Sequence, residues 1–103
     1  AAGRGKYLLR VTNANQIIRS NITGTAADAC TGTSRLTAGE WYHVAATFND
    51  TTNTIRCYVN GTLDGQNLSA LLAPATSTVS LKIGVRGNDL AEPFGGQIDE
   101  AAI

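Results

Sequence analysis

The sequence predicts an all-β protein, an antiparallel β-sandwich, and three observations lead to this fold class. Apolar residues recur at every second position in most segments, which is the period of a strand with one buried face. No stretch carries an apolar helical stripe over three turns. Turn residues separate about seven such segments, and short strands joined in this way are typical of sandwiches and barrels.

In the first half of the chain, alternating segments are separated by small and polar residues. One predicted strand places Ile18, Ser20 and Ile22 on one face, as a half-buried strand requires. The predicted elements here are a strand over 6–12, a hairpin turn at 13–15, a strand over 16–22, a loop over 24–32, a short strand at 34–36 and a turn at 37–40.

In the second half, two adjacent strands form a predicted meander. In its second strand Ile55, Cys57 and Val59 point inward, whereas Arg56 and Tyr58 point outward. The predicted elements are a strand over 41–49 with Tyr42, Val44, Ala46 and Phe48 on one face, a hairpin loop at 50–53, a strand over 54–60, a positive-φ turn at Asn60-Gly61, an unassigned apolar segment at 68–72, a strand over 79–86 with Ile83 inward, a loop over 87–93 and a last strand over 94–103.

Composition excludes several classes of function. The 103 residues suffice for one domain with one core, and eight basic and eight acidic side chains are scattered singly to a net charge of zero. We therefore expect neither nucleic acid nor an anionic membrane as a partner. No apolar run approaches the roughly 20 residues of a membrane-spanning helix.

The two cysteines, Cys30 and Cys57, suit one disulfide. The alternative is a pair of small buried thiols. The richness in Thr, Asn and Gly and the scarcity of Lys resemble an extracellular protein, in which disulfides persist. We therefore expect a secreted or cell-surface protein with a Cys30–Cys57 bridge.

Four short motifs follow one another in the second half of the chain: Trp41-Tyr42-His43-Val44-Ala45, Tyr58-Val59-Asn60-Gly61, Ile83-Gly84 and Phe94-Gly95-Gly96-Gln97-Ile98-Asp99-Glu100. Their order resembles that of the laminin G-like, concanavalin A-like jelly-roll family. The resemblance runs from about residue 36 to the end and implies a concanavalin A-like jelly roll. Because members usually need more chain, residues 1–103 are expected to be the C-terminal portion of a larger laminin G-like domain, incomplete at its N-terminus.

The resemblance also implies structural roles for three motif residues. Trp41 is expected in the core, His43 as a structural imidazole within the sandwich, and Asp99 as an anchor of the closing strand to loop backbone. The paired-carboxylate pattern of jelly-roll glucanases does not occur, and adjacent residues Asp99 and Glu100 on a strand would point to opposite faces. We therefore expect no enzyme and no catalytic residues in this chain.

Calcium is the one candidate cofactor, because the resemblance implies it: several laminin G-like domains bind it through oxygen ligands at a sandwich rim. Asn88, Asp89 and Glu92 share one loop, and Asp50 and Asn53 lie in another. Such oxygen atoms are the ligands that Ca²⁺ prefers. The alternative is ordinary turn chemistry, since Asn and Asp favour loops for backbone reasons.

The expected ligand-binding residues are Tyr58 and Arg56 on the outer side of one strand and Asn88 in the rim loop. The resemblance favours a non-catalytic extracellular recognition or adhesion module that binds a glycan or a protein. Its partners would include the rest of the same polypeptide. One alternative is a structural subunit of a filament, coat or appendage completed by strands from a neighbouring chain. Another is a fragment of a glycosidase-like enzyme with its catalytic residues elsewhere.

Overall fold

A computed structural model gives the structure of the chain over residues 8–12, 14–21, 30–49, 51–68, 83–84 and 94–103. These residues contain strands and no helix, and the strands form two antiparallel three-stranded sheets, as expected for a β-sandwich. The strands are β1 Leu8–Val11, β2 Ile18–Asn21, β3 Cys30–Thr31, β4 Val44–Asn49, β5 Thr54–Val59 and β6 Thr62–Asn67.

The first sheet has the order β1-β2-β3 and begins with the predicted hairpin. Thr12 donates its backbone N–H to Ile17 O at 2.8 Å, and Gln16 donates to Thr12 O at 3.0 Å. Gln16 has φ of 51°, so the left-handed conformation falls on a glutamine at the end of the turn. The turn residue Asn13 lies outside the described residues.

The third strand lies earlier in the chain than predicted. Cys30–Thr31 pairs with β2 inside the segment expected to be a loop, whereas no strand forms at residues 34–36. Cys30 is fully buried, and Gly32 donates to Ile18 O at 2.8 Å, which continues the pairing. Burial of Cys30 in the core explains why this short segment of small residues pairs with β2.

The second sheet has the order β4-β5-β6. The predicted β4–β5 meander is confirmed, and it pairs Val44 with Val59 through to Asn49 with Thr54. Its hairpin is closed by Asn49 Oδ1, which accepts a hydrogen bond of 3.0 Å from Thr51 N. Asp50 in this hairpin lies outside the described residues.

The third strand of this sheet, β6, was not predicted. Asn60 and Gly61 adopt φ of 51° and 78°, as expected, and they reverse the chain so that Thr62 pairs with Val59. The strand itself is mostly polar, and a polar edge strand carries no alternating apolar signal. Its position follows from the turn and from pairing with β5.

The core lies between the two sheets, because β3 packs against β5 and β6 and β2 packs against β5. The fully buried apolar side chains are contributed by both sheets. Ile18 and Ser20 of β2 and Ile55 and Cys57 of β5 face inward as predicted, whereas Ile22 lies outside the described residues. The apolar side chains with no exposed surface are Ile18, Cys30, Ile55 and Cys57, and those packed around them are Val11, Leu36, Val44, Phe48 and Val59.

Cys30 and Cys57 form the expected disulfide, with their Cα atoms 6.1 Å apart. The bridge joins β3 of one sheet to the central strand β5 of the other. Because it closes a long loop, it is expected to stabilise the fold by about 3–4 kcal/mol in the chain-entropy model.

The expectation that Trp41 lies in the core is wrong: 65% of the residue is exposed. β4 begins at Val44 rather than at residue 41. The preceding residues form a closed turn, in which the Tyr42 hydroxyl accepts from Thr37 N at 2.8 Å and donates to Glu40 at 3.1 Å. Trp41 therefore lies before the first residue of β4, so the alternation of side chains along that strand does not direct it into the core.

The predicted last strand over residues 94–103 is also absent from the structure. Its first residue, Phe94, donates to Gly84 O at 2.7 Å, but Ile103 at its end is 94% exposed. Glu100 has φ of 51°, which interrupts an extended backbone.

The strand predicted over 79–86 is described only at residues 83–84, which are not extended. Gly84 has φ of 87°, and Ile83 is 62% exposed instead of facing inward. A left-handed backbone at this position breaks the alternation on which the prediction rested.

Candidate functional site

The outer side of the second sheet brings together the two expected ligand-binding residues that the structure describes, Tyr58 and Arg56. Residues directly opposite each other in an antiparallel ladder share a face. Tyr58 and Arg56 therefore each belong to a row of side chains that runs across all three strands. We call these rows the Tyr58 face, which consists of Ala45, Tyr58 and Leu63 in one row and Thr47, Arg56 and Gln66 in the other.

The first row of the Tyr58 face offers an aromatic ring with apolar neighbours. Tyr58 is half-buried, Ala45 opposite it is small, and Leu63 on its other side is 46% exposed. A methyl group at Ala45 covers little of the neighbouring ring. This row can therefore support stacking against a flat apolar surface of a ligand.

The second row of the Tyr58 face offers polar groups in a fixed position. Arg56 Nε donates to Gln66 Oε1 at 3.2 Å, and both side chains are exposed. The hydrogen bond holds the guanidinium in place and leaves its terminal N–H groups for other acceptors. An aromatic row beside a polar row is the combination that binding sites for amphipathic ligands use.

His43 lies at one end of this sheet and contributes through its backbone. His43 N donates to Asn60 Oδ1 at 2.9 Å, and Asn60 N donates to His43 O at 2.7 Å. These two bonds close the end of the β4–β5 ladder. His43 is exposed, so its backbone N–H and C=O, rather than its imidazole, have the structural role.

A residue that the sequence did not single out, Asp64, forms the densest polar cluster among the described residues. Its carboxylate accepts from Thr33 N at 3.0 Å, from Ser34 N at 3.1 Å and from the Ser34 hydroxyl. Thr33 also donates its hydroxyl to Asp64 O at 3.2 Å. We call these three residues the Asp64 clamp, which joins the segment after β3 to β6.

A β-bulge explains how Asp64 reaches across to the other sheet. Leu63 pairs with Tyr58 and Gly65 pairs with Cys57, so Asp64 is the additional residue in β6. A bulge turns the extra side chain away from regular alternation. An Asp-Gly pair within a polar run was the one signal in the sequence, and it indicates irregular backbone without indicating a partner.

The Asp64 clamp is suited to holding the sheets together. Burial alone would raise the pKa of Asp64, but the hydrogen bonds from Ser34 and then from Thr33 outweigh it and hold the pKa below its ordinary value. The carboxylate is thus kept ionised and occupied by donors from its own chain.

Asp99 does not anchor loop backbone as expected. Its Oδ1 accepts from Glu100 N at 2.9 Å, which is a contact with the adjacent residue, and both residues are exposed. Because residues 94–103 form no strand, the argument that these two carboxylates point to opposite faces has no basis in the structure.

The predicted calcium loop, with Asn88, Asp89 and Glu92, lies outside the described residues, as does Asp50. Within the described part of the chain, no three His, Cys, Asp or Glu residues gather as metal ligands would. Asn53, the remaining candidate, adopts φ of 52° in the β4–β5 hairpin. Calcium therefore stays a prediction.

Comparison with known proteins identifies a family. A family model described as the Concanavalin A-like lectin/glucanases superfamily matches residues 1–103. No curated protein and no solved structure matches the chain significantly. Among the described residues there is no helix long and apolar enough to cross a membrane.

Proposed function

Because the chain belongs to the concanavalin A-like lectin/glucanase superfamily, we propose that it is a non-catalytic recognition module that binds a glycan through the Tyr58 face. The superfamily often binds glycans or proteins. The observation that supports this proposal is the pairing of an aromatic row with a polar row on one exposed sheet.

The chemistry of a sugar matches both rows. A pyranose ring has a flat face of C–H groups that can stack on an amphipathic ring such as Tyr58. Its hydroxyl groups can accept from the guanidinium of Arg56 and exchange hydrogen bonds with Gln66. Stacking supplies affinity, and the polar row supplies orientation and specificity.

The absence of carboxyl groups from the Tyr58 face favours binding without catalysis. Glycoside hydrolysis needs a pair of carboxyl groups about 5–10 Å apart. The six residues of the Tyr58 face include no Asp or Glu. A ligand held there meets one cation and otherwise neutral groups.

The buried disulfide supports an extracellular location, either secreted or at the cell surface, because such bridges persist in oxidising compartments. We further propose that the module is part of a larger secreted or surface protein. Calcium belongs to this proposal as well, with Asn88, Asp89 and Glu92 as the ligands that their loop would supply.

A second candidate function, a structural subunit, is favoured by the large apolar side chains that the structure leaves exposed. Strands from a neighbouring copy could cover them, as in other proteins built by strand addition. These residues include Trp41, Leu68, Ile83, Phe94, Ile98 and Ile103. A stable homo-oligomer that hides them would favour this candidate.

A glycan array tests the leading proposal. The wild-type protein is applied with calcium and with a chelator, beside Tyr58→Ala and the control Phe94→Ala, which removes an exposed aromatic outside the Tyr58 face. Binding that Tyr58→Ala loses and Phe94→Ala keeps is expected. Absence of binding to any glycan in either condition would overturn the proposal, and loss with the chelator alone would support the calcium loop.

A further inference from the structure

Arg56 is the charged residue of the Tyr58 face, and its guanidinium is held from one side. Arg56 Nε donates to Gln66 Oε1 at 3.2 Å, and both residues are exposed. Because an arginine nitrogen can only donate, the carbonyl end of the Gln66 amide must face it. Within the described part of the chain, no carboxylate pairs with Arg56. The N–H groups on its two terminal nitrogens therefore remain for a ligand.

The polar row of the Tyr58 face offers more hydrogen-bond donors than acceptors. The Gln66 carbonyl oxygen already accepts from Arg56, so the amide presents its NH₂ group to a ligand. The hydroxyl of Thr47, which is exposed on the other side of Arg56, can both donate and accept. A sugar hydroxyl brings a proton that needs an acceptor, whereas an ionised carboxylate only accepts. A carboxylate therefore matches this row better than a neutral hydroxyl group does.

We propose that the Tyr58 face prefers an acidic sugar, a hexuronic acid residue whose carboxylate pairs with Arg56 while its ring stacks on Tyr58. This preference rests on the function proposed above and names the class of glycan. A planar carboxylate can accept two parallel N–H groups from the terminal nitrogens of a guanidinium. The hydrogen bond to Gln66 holds the guanidinium in place for this bidentate contact.

The spacing of the two rows fits one sugar residue. Tyr58 and Arg56 are two residues apart on β5, so their Cα atoms are separated by roughly 6–7 Å. The carboxylate carbon of a hexuronic acid is bonded directly to a ring carbon, and a charge-assisted hydrogen bond adds about 2.8 Å to its reach. The same residue can therefore stack on the aromatic row and pair with the polar row.

The charge of the Tyr58 face fits one acidic sugar better than a densely sulfated chain. The other five residues of the face are neutral, and the whole chain has no net charge. Highly charged polyanions are attracted by basic patches that hold several cations. The Tyr58 face supplies one cation beside an aromatic ring, which is enough for a single carboxylate.

Calorimetric titration with matched oligosaccharides tests this preference. The probes are galacturonate and mannuronate oligosaccharides, their methyl esters, the corresponding neutral galactose and mannose oligosaccharides and a galactose 6-sulfate oligosaccharide, all with a chelator present. Esterification removes the charge and keeps the ring. We expect a uronate to bind the wild-type protein about five to ten times more tightly than its ester. This difference should shrink between about 0.01 M and about 1 M salt, because salt screens exposed charge pairs.

Two arginine variants assign the preference to a residue. Arg56→Gln removes the cation from the Tyr58 face. Arg35→Gln is the matched control, because the exposed Arg35 also donates its Nε to a glutamine, Gln16 at 2.9 Å, but lies outside the face. The difference in Kd between acid and ester should disappear in Arg56→Gln and persist in Arg35→Gln. A difference that survives in Arg56→Gln would overturn the proposal.

The wild-type protein alone decides the question if Arg56→Gln fails to fold. Equal Kd values for acid, ester and neutral sugar would overturn the acidic preference, yet the glycan proposal would stand if Tyr58→Ala weakened all three. Tighter binding of the sulfated sugar than of either uronate would contradict a uronate site. A preference that appears only when calcium replaces the chelator would also overturn it, because calcium would then bind the carboxylate. Absence of binding to every probe would overturn the preference, and the glycan array tests the proposed function separately.

Discussion

Ser34 donates both its hydroxyl and its backbone N–H to the carboxylate of Asp64, and this contact joins the segment after β3 to the bulge of β6. The two residues are 30 positions apart in the chain, and Ser34 follows a strand of the first sheet whereas Asp64 lies in a strand of the second. The disulfide between Cys30 and Cys57 makes a second connection nearby. Together they hold the sheets in register at the end of β3.

Replacing Asp64 should lower the stability of the fold. Asp64→Asn keeps the size of the side chain but removes the charge that strengthens the bonds from Thr33 and Ser34. We expect a loss of about 1–2 kcal/mol in the free energy of unfolding, measured with urea. Asp99→Asn is the control, because Asp99 meets only the next residue among the described contacts, and it should change stability little.

The contribution of Asp64 should depend on pH. Its folded-state pKa is lowered, so the native state favours the ionised form more than the unfolded chain does. The stabilisation is therefore present above the unfolded pKa, roughly 4, and is lost as the pH falls through the lower folded value. The difference in Tm between wild type and Asp64→Asn should be constant near neutral pH and shrink below about pH 4. A difference that grows on acidification would contradict this sign.

The close approach of β3 and β6 requires glycine at position 65. A Cβ atom there would overlap the carbonyl oxygen of Thr31, whereas a Cβ at Gly95 would meet nothing nearby. Gly65→Ala should therefore destabilise the protein by about 1–3 kcal/mol, and Gly95→Ala should not. Chemical denaturation of both variants measures the difference. Equal stability would show that the sheets can move apart at this point.

The disulfide should account for a large part of the stability. Replacing both cysteines with alanine is expected to cost about 2–5 kcal/mol. Cys30 and Cys57 are fully buried, so a reductant should act slowly on the folded protein and quickly in urea. Thiol labelling followed by mass spectrometry reports both rates. Rapid labelling of the folded protein would show that the sheets separate readily.

The fold class, the core strands and the disulfide could be predicted from the sequence because they depend on local alternation and composition. Ile18, Ile55 and Cys57 lie on the buried faces that the alternation assigned to them, and Asn and Gly at positions 60 and 61 are residue types that tolerate the positive φ of the turn. The strand β6 could not be found in this way. Its polar residues are extended because β5 pairs with them, which is a property of the whole sheet.

The candidate site was predictable in part for the same reason. Alternation placed Tyr58 and Arg56 outward, but Leu63 and Gln66 join them only through the register of β6. Asp64 depends on a bulge and on a partner 30 positions away in sequence. Trp41 and residues 94–103 were mispredicted because a motif order indicates a family without specifying the backbone conformation at each position.

The central claim is that the Tyr58 face binds a glycan, and calorimetric titration with the strongest glycan from the array tests it most directly. Wild type, Tyr58→Ala and Phe94→Ala are compared under the same conditions. We predict that Tyr58→Ala raises Kd at least tenfold, which corresponds to about 1.4 kcal/mol, while Phe94→Ala leaves it unchanged. An unchanged Kd in Tyr58→Ala, with the fold intact by circular dichroism, would contradict the account.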